Sequence, residues 1–310
     1  VRICSLLPGA TEVVAELGLS DDLVGISHEC DYPATIQGKR ILVKSSIHPE
    51  HLSSPDIDDL VQAAAASREP MYSLDEAGFA AAQPDLIITQ DLCHVCAVTP
   101  TQLNQAIRLL SPKPQVLALN PSRLSDVIDD VQRIAAATNR VAAGQHFIEH
   151  LQERLTSIRN KTGAISHRPT VACLEWLDPV YAAGHWIPEM VEWAGGRDAL
   201  AVAGEPSKIV SWSTVCASAP EIVVLMPCGF TIERTLSEMH RLTSRPGWND
   251  LPAVRHDNVF VVDAAAYFSR PGPRLVQGVE ILAAICHPSQ FATQAPATVH
   301  QFRVSNRPRP

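Results

Sequence analysis

Two stretches of this chain echo one another, and together they constrain the fold more than anything else in it. "AAAQPDLIITQ" (80–90) and "CASAPEIVVLM" (216–226) each pass from a small-residue helix end through a proline and an acid into an apolar, β-branched run. Each is followed by a second such run, "QVLAL" (115–119) or "NVFVVD" (258–263), and matching starts stand at "RICSLL" (2–7) and "TVACLEW" (170–176). "LVGIS" (23–27) adds a further strand signal. Hydrophobicity that is continuous along short runs marks strands covered on both faces, as in parallel sheets flanked by helices. The expected fold is therefore α/β, with two Rossmann-like lobes. At 310 residues the chain also exceeds the roughly 100–200 residues usual for one domain.

Between the halves lies a helical tract. Leu124, Val127, Ile128, Val131, Ile134 and Ala135 keep helical spacing; after Thr138-Asn139 it resumes through Val141, Phe147, Ile148, Leu151, Leu155 and Ile158. A helix from Val141 to Asn160 would span about 30 Å, enough to join one lobe to the other as a single long interlobe helix. The expected organisation is an N-terminal lobe over 1–122, the helical tract over 123–165, a C-terminal lobe over 166–289 and a tail over 290–310. The tail has several prolines and little periodicity, so it reads as a loose strap.

Charge and composition exclude several function classes. A net charge of −8 with 25 Lys+Arg and no basic run argues against nucleic acid, whose binding needs a basic surface to release counterions. No apolar run reaches membrane-spanning length. The chain as given carries no segment with signal-peptide character, which gives a cytoplasmic expectation, or a periplasmic one if a leader has been removed. Eight cysteines are too sparse for a disulfide scaffold. Cys4, Cys173 and Cys286 sit among apolar neighbours as buried thiols, Cys216 and Cys228 read as structural, and Trp176 reads as core.

In open α/β lobes, ligands gather beyond the carboxyl ends of the strands. After "LVGIS" comes "HECDYP" with His28 and Cys30; after "DLIITQ" comes "DLCHVCAV" with Cys93 and Cys96. One Cys-x-x-Cys lacks the second pair of a closed zinc site. Metal ligation by a subset of these four, a redox-labile disulfide and plain structural thiols all stay open. His185 and Trp186 precede "IPEMVEWAGG", either facing a ligand or packing where the helix starts. Tyr267, Phe268 and Arg270 form either an aromatic wall with a cation or an ordinary loop anchor. No nucleophile elbow, P-loop or dinucleotide fingerprint is present, so the chain reads as non-catalytic. Pro8-Gly9 turn the chain after the first strand, with Thr11 as a helix cap.

Beyond single motifs, "ICSLLPGATEVVAELGLSDDLVGISHECDYP", "AAAQPDLIITQDLCHVCAV", "GHWIPEMVEWAGG" and "AAAYFSRPGPRLVQGVEILAAICHP" resemble the helical-backbone metal-receptor family, the class III substrate-binding proteins of ABC importers that take vitamin B12 and iron chelates. They resemble its branch with HECDYP and LCxVCAV motifs. The resemblance implies two lobes, one backbone helix and a ligand held between the lobes. It implies a corrinoid (cobalamin-like) or other metal-containing ligand. His28, Cys30, Cys93, Cys96 and His185 would contact the metal, Trp186, Tyr267 and Phe268 would give apolar contact, and Arg270 would meet an anionic group. Where importer-linked members carry a docking acid on each lobe, this chain has Ala77, beside Asp75 and Glu76, and Ser213, with no acid near it; that weighs against an ABC permease as partner. The alternative is a cytosolic metallochaperone or thiol-dependent enzyme holding a transition-metal ion such as zinc in the same cleft. An interaction protein that has lost its ligand is the third reading.

Overall fold

The computed structural model describes residues 1–49, 52–67, 69–90, 98–108, 110–291 and 298–303. By contact, the described chain divides into two compact units. Unit 1 lies within Val1–Pro121, Ser125–Leu151 and Pro271–Pro273; unit 2 takes Ser122–Leu124, Gln152–Arg270 and the described residues from Arg274 onward. Each unit is an α/β body around its own sheet.

In unit 1 the strands are β1 (Ile3–Ser5), β2 (Leu23–Ser27), β3 (Ile41–Ser45), β4 (Tyr72–Leu74), β5 (Leu86–Gln90) and β6 (Gln115–Leu119), in the order β4-β3-β2-β1-β5-β6. All neighbours are parallel except β3 and β4. The helices are α1 (Pro8–Glu16), α2 (Ser54–Ser67), α3 (Glu76–Ala82), α4 (Pro100–Arg108), α5 (Leu124–Ala137) and α6 (Val141–Gly163). The core is built on Ile3, Cys4, Ile87 and Ile88 of the central strands, with Val14 and Phe79 packed against them.

Unit 2 carries β7 (Thr170–Leu177), β8 (Val180–Ala182), β9 (Arg197–Asp198), β10 (Lys208–Ile209), β11 (Ile222–Leu225), β12 (Val259–Val262) and β13 (Val299–Phe302), ordered β10-β8-β7-β11-β12-β13 with β9 pairing β7. The parallel centre is β7-β11-β12, and β8, β10 and β13 join antiparallel. Its helices are α7 (Ile187–Trp193), α8 (Trp212–Ser218), α9 (Ile232–Ser237), α10 (His240–Thr243), α11 (Pro252–Arg255), α12 (Ala264–Tyr267) and α13 (Leu275–Cys286).

The repeat seen in the sequence reaches down to single hydrogen bonds. Asp75 caps α3 by accepting from the Gly78 amide, and Ser211 caps α8 by accepting from the Thr214 amide, each meeting a helix-start donor that lacks an intrahelical partner. Both helices end on a non-glycine residue in the left-handed region, Gln83 (φ 40°) and Ala219 (φ 43°), ahead of Pro84 and Pro220. Asp85 then accepts from the Arg2 amide at 2.8 Å, and Glu221 from the Thr170 amide at 2.8 Å. One local design thus ties β5 to β1 in unit 1 and β11 to β7 in unit 2.

The helical tract breaks where its pattern does. Asn139, at φ 57°, separates α5 from α6, and the division between the units falls inside α6, after Leu151. With 23 residues α6 is about 35 Å long.

Several expectations are corrected. Thr11 does not cap α1, because Pro8 already starts it; proline suits a first helical position, where its missing N–H costs nothing. β6 is not covered on both faces: it lies at the sheet edge and Val116 is 44% exposed. The tail is not loose throughout, since Val299–Phe302 pairs antiparallel with β12 in full register. Trp176 is half-buried rather than core, and Cys228 is exposed. Among the described residues no helix is long and apolar enough to cross a membrane.

Candidate functional site

The carboxyl ends of β1, β2, β5 and β6 share one edge of the first sheet, because those strands are parallel. The strand order reverses direction at β1, which makes its carboxyl end the topological switch point where ligands collect. β2 and β5 flank β1, so their ends stand about 10 Å apart. His28 and Cys30 follow β2; Cys93 and Cys96 lie outside the described residues.

The His28 ring sits 6.0 Å from Tyr72, with Nδ1 3.2 Å from the Val43 carbonyl and Nε2 3.3 Å from Glu29 Oε1. Cys30 is buried and turns toward α1, its Sγ 3.1 Å from Thr11 Oγ1. That hydroxyl also donates toward Ser5 Oγ at 2.8 Å and the Leu7 carbonyl at 3.0 Å. Among the described residues no group of three or more His, Cys, Asp or Glu is gathered as a metal site.

Unit 2 is more fully built. β8 runs back along β7, and Gly184-His185-Trp186 follow it into α7. His185 adopts φ 52°, uncommon for a residue with a side chain. Its amide donates to the Glu205 carbonyl at 2.6 Å and its carbonyl accepts from the Gly204 amide at 2.8 Å, which clamps that conformation. A Cβ at Gly184 would lie 2.4 Å from the Ser207 amide nitrogen and 2.6 Å from the Glu205 carbonyl, so only glycine permits this approach. The imidazole lies 5.6 Å from the Trp186 ring, tilted by 31°.

Trp186 and Phe268 are both largely buried. They are 7% and 2% exposed, and the Trp186 indole N–H donates to the Phe268 carbonyl at 2.8 Å. Their role is to support: a buried indole needs a partner for its N–H, and this one fixes the floor under His185. Tyr267 and Arg270 stay half-buried, and the Arg274 guanidinium lies 5.8 Å from the centre of the Tyr267 ring.

Four residues at the carboxyl side of the second sheet went unrecognised in the sequence. Trp176, near the end of β7, meets Phe230 at 5.0 Å and 58°, and the Arg234 guanidinium stands 4.9 Å from the Phe230 ring centre. Beside Trp176 stands Glu175, whose pKa burial pushes up while the neighbouring Ser207 side chain and Gly184 main chain pull it partly back. The signal was available: an acid inside the apolar run "TVACLEW" is costly unless something inside the protein receives it. Elsewhere, burial raises the Cys4 and Cys286 thiols to about 12, which keeps both protonated and inert.

Comparison with known proteins follows this geometry. The pattern of a family described as periplasmic binding protein matches residues 3–266. The vitamin B12-binding protein of Vibrio cholerae is 24% identical over 290 residues, covering 90% of this chain and 86% of the relative. An uncharacterized ABC transporter substrate-binding lipoprotein of Bacillus subtilis is 24% identical over 297 residues, covering 94% and 81%. Among solved structures, a periplasmic heme binding protein from Pseudomonas aeruginosa superposes with a TM-score of 0.71 at 18% identity, covering 98% of this chain and 99% of that one.

Proposed function

The chain belongs to the periplasmic binding protein family, and from that premise we propose that its ligand is a corrinoid, received at the carboxyl-edge loops of its sheets. Membership makes it a ligand-binding protein, not an enzyme. The observation that carries the finer reading is His185: a histidine forced into a left-handed backbone, clamped by two main-chain bonds and set beside an anchored indole. Strain of that kind costs of order 1–3 kcal/mol, and strained residues cluster where function holds them. A neutral imidazole so held suits an axial position on cobalt, and the Vibrio relative named for vitamin B12 supports the same ligand class. Trp176 supplies flat apolar contact, with the buried Phe230 packed against it, and Tyr267 supplies a further apolar contact; Arg270 meets an anionic substituent. Cys93, Cys96, Cys30 and His28 remain the proposed unit 1 contacts, by the motifs that hold them. A bare zinc ion is the weaker cargo, since the described ligand residues do not converge.

The family argues for action outside the cytosol, against the expectation drawn from the chain as given, and for an importer permease as partner. Docking would be unequal between the units. Asp75 and Glu76 stand at the start of α3, with Asp75 3.7 Å from Arg40, whereas α8 starts with the bonded hydroxyls of Ser211, Ser213 and Thr214.

The test is a visible-absorbance titration of reduced, anaerobically purified protein with aquocobalamin, with His185→Ala and Cys93→Ser/Cys96→Ser variants alongside. A saturable spectral shift that His185→Ala abolishes is expected. Binding of hemin without any binding of aquocobalamin would overturn the corrinoid reading.

A further inference from the structure

The strand β6 closes the first sheet on one side, and its own sequence gives it no protection. It pairs with β5 alone, in five consecutive registered pairs without a bulge, and Gln-Val-Leu-Ala-Leu holds no charge and no proline. A regular, uncharged, apolar edge strand is a ready template for a strand of another chain. One bond tells which of its main-chain groups face that open side. The Gln115 amide donates to the Asp85 carbonyl at 2.8 Å, so Gln115 turns its main chain toward β5. Main-chain groups alternate along a strand; Leu117 and Leu119 therefore turn the same way, while Val116 and Ala118 turn theirs outward. Val116 also leaves 44% of its surface exposed.

One side chain meets that outward row. Arg133, on α5, donates through Nη2 to the Ala118 carbonyl at 2.5 Å and through Nη1 to Asp130 Oδ1 at 2.7 Å. Two nitrogens of one planar group are committed to different partners, which fixes the guanidinium against the strand. Asp130 is only 8% exposed, so an incoming strand that displaced Arg133 would strip a buried carboxylate of this cation. The opposite end of the sheet carries a smaller version. The Ser46 amide donates to the Met71 carbonyl, which leaves Tyr72 of the three-residue β4 facing outward, and Gln102 Nε2 donates to the Tyr72 carbonyl at 2.9 Å. Gln102 is pinned in turn, its Oε1 accepting from the Thr99 amide at 3.1 Å and the Thr99 hydroxyl at 3.0 Å.

We propose that Arg133, seated on Asp130, locks the open edge of β6 against a second copy of this chain, as Gln102 does on a smaller scale at β4. A strand added there would lie about 4.8 Å beyond β6. It would extend the sheet beside the carboxyl edge that β6 shares with β1, β2 and β5, where the loops of unit 1 gather. The lock keeps that edge clear whatever ligand the protein carries.

Sedimentation of the full chain over a range of concentrations tests this, with circular dichroism and Tm recorded for each variant. Arg133→Ala is expected to gain weight-average mass with concentration, reaching at least about twice that of the parent as a second copy joins. The double variant Asp130→Asn/Arg133→Ala is expected to do the same; it leaves no buried carboxylate behind, and so decides the matter should Arg133→Ala fail to fold. Adding Val116→Lys to either is expected to return the parent's mass, because a lysine on an edge strand opposes pairing without restoring the Arg133 bonds. A folded double variant with the parent's mass throughout would overturn the proposal. Self-association that Val116→Lys leaves in place would do the same, as would a parent whose own mass falls on Val116→Lys, since its edge would already be paired.

Discussion

Replacing Gly9 with alanine should destabilise the protein by an amount the coordinates allow to be worked out. Gly9 lies in the first turn of α1, against Pro271-Gly272 of the same unit. An added Cβ would stand 2.0 Å from the Pro271 carbonyl oxygen, 2.6 Å from its carbon and 2.9 Å from Gly272 Cα. All three are main-chain atoms, so no rotamer change relieves the overlap. Reaching an ordinary separation of roughly 3.5 Å requires a shift of about 1.5 Å in the 271–273 segment. Overpacking of this type costs about 1–3 kcal/mol, and the helix propensity gained by replacing glycine returns at most about 1 kcal/mol. The net loss is therefore about 2 kcal/mol, or roughly 4–8 °C in Tm at 2–4 °C per kcal/mol. Thermal unfolding followed by circular dichroism reads it. Gly163→Ala is the control: it sits at the end of α6 with nothing within 4 Å of the new Cβ, so its Tm should hold or rise slightly. A Gly9→Ala protein melting at or above the parent, with Gly163→Ala behaving as stated, would refute the argument that this contact is tight.

Two further outcomes follow from buried groups. Asp198 accepts from the Leu200 and Ala201 amides at 2.8 Å each, yet burial raises its pKa to about 6. A carboxyl raised from 3.8 stabilises the fold below that value and loses this contribution as pH rises towards 6; Asp198→Asn should flatten that part of the stability–pH curve in urea titrations between pH 3.5 and 6.5. A thiol reagent added to native protein should label exposed Cys228 ahead of Cys4, Cys173 and Cys286, which should react only on unfolding; mass mapping of the labelled peptides checks the order.

How much of this was legible varies with the physics. The seven strands anticipated are all present: six are parallel central strands that read as unbroken apolar runs, and the edge strand β6 keeps an apolar run although one face of it is exposed. The repeat was legible because its turn needs a proline and an acid in fixed places. β3 and β4 escaped notice: Lys44 interrupts the apolar run of β3, and β4 is a three-residue edge strand with a polar Ser73 at its centre. β8, β9 and β10 are two or three residues long, too short to carry a period. β13 is specified by pairing with β12, not by its own polar sequence Val-His-Gln-Phe. At the site, the loops were found from strand order, but which aromatic faces outward was not. Trp186 and Phe268 look like Trp176 in one dimension; the bond between the first two goes with their burial, while Trp176 stays half-buried.

The make-up of unit 1 also sets a timetable. Its last three residues, Pro271–Pro273, leave the ribosome about 120 residues after Leu151. At 5–20 residues per second that is a wait of roughly 6–24 s, far longer than helices and hairpins need to form. During that interval α1 exists with its Gly9 surface bare, and the nascent N-terminal body must survive unfinished beside a chaperone or a protease. A ribosome that stalls between residues 152 and 270 therefore releases two incomplete units, not one finished unit and one fragment. Unit 1 is the first to be made and, through three residues, among the last to be closed.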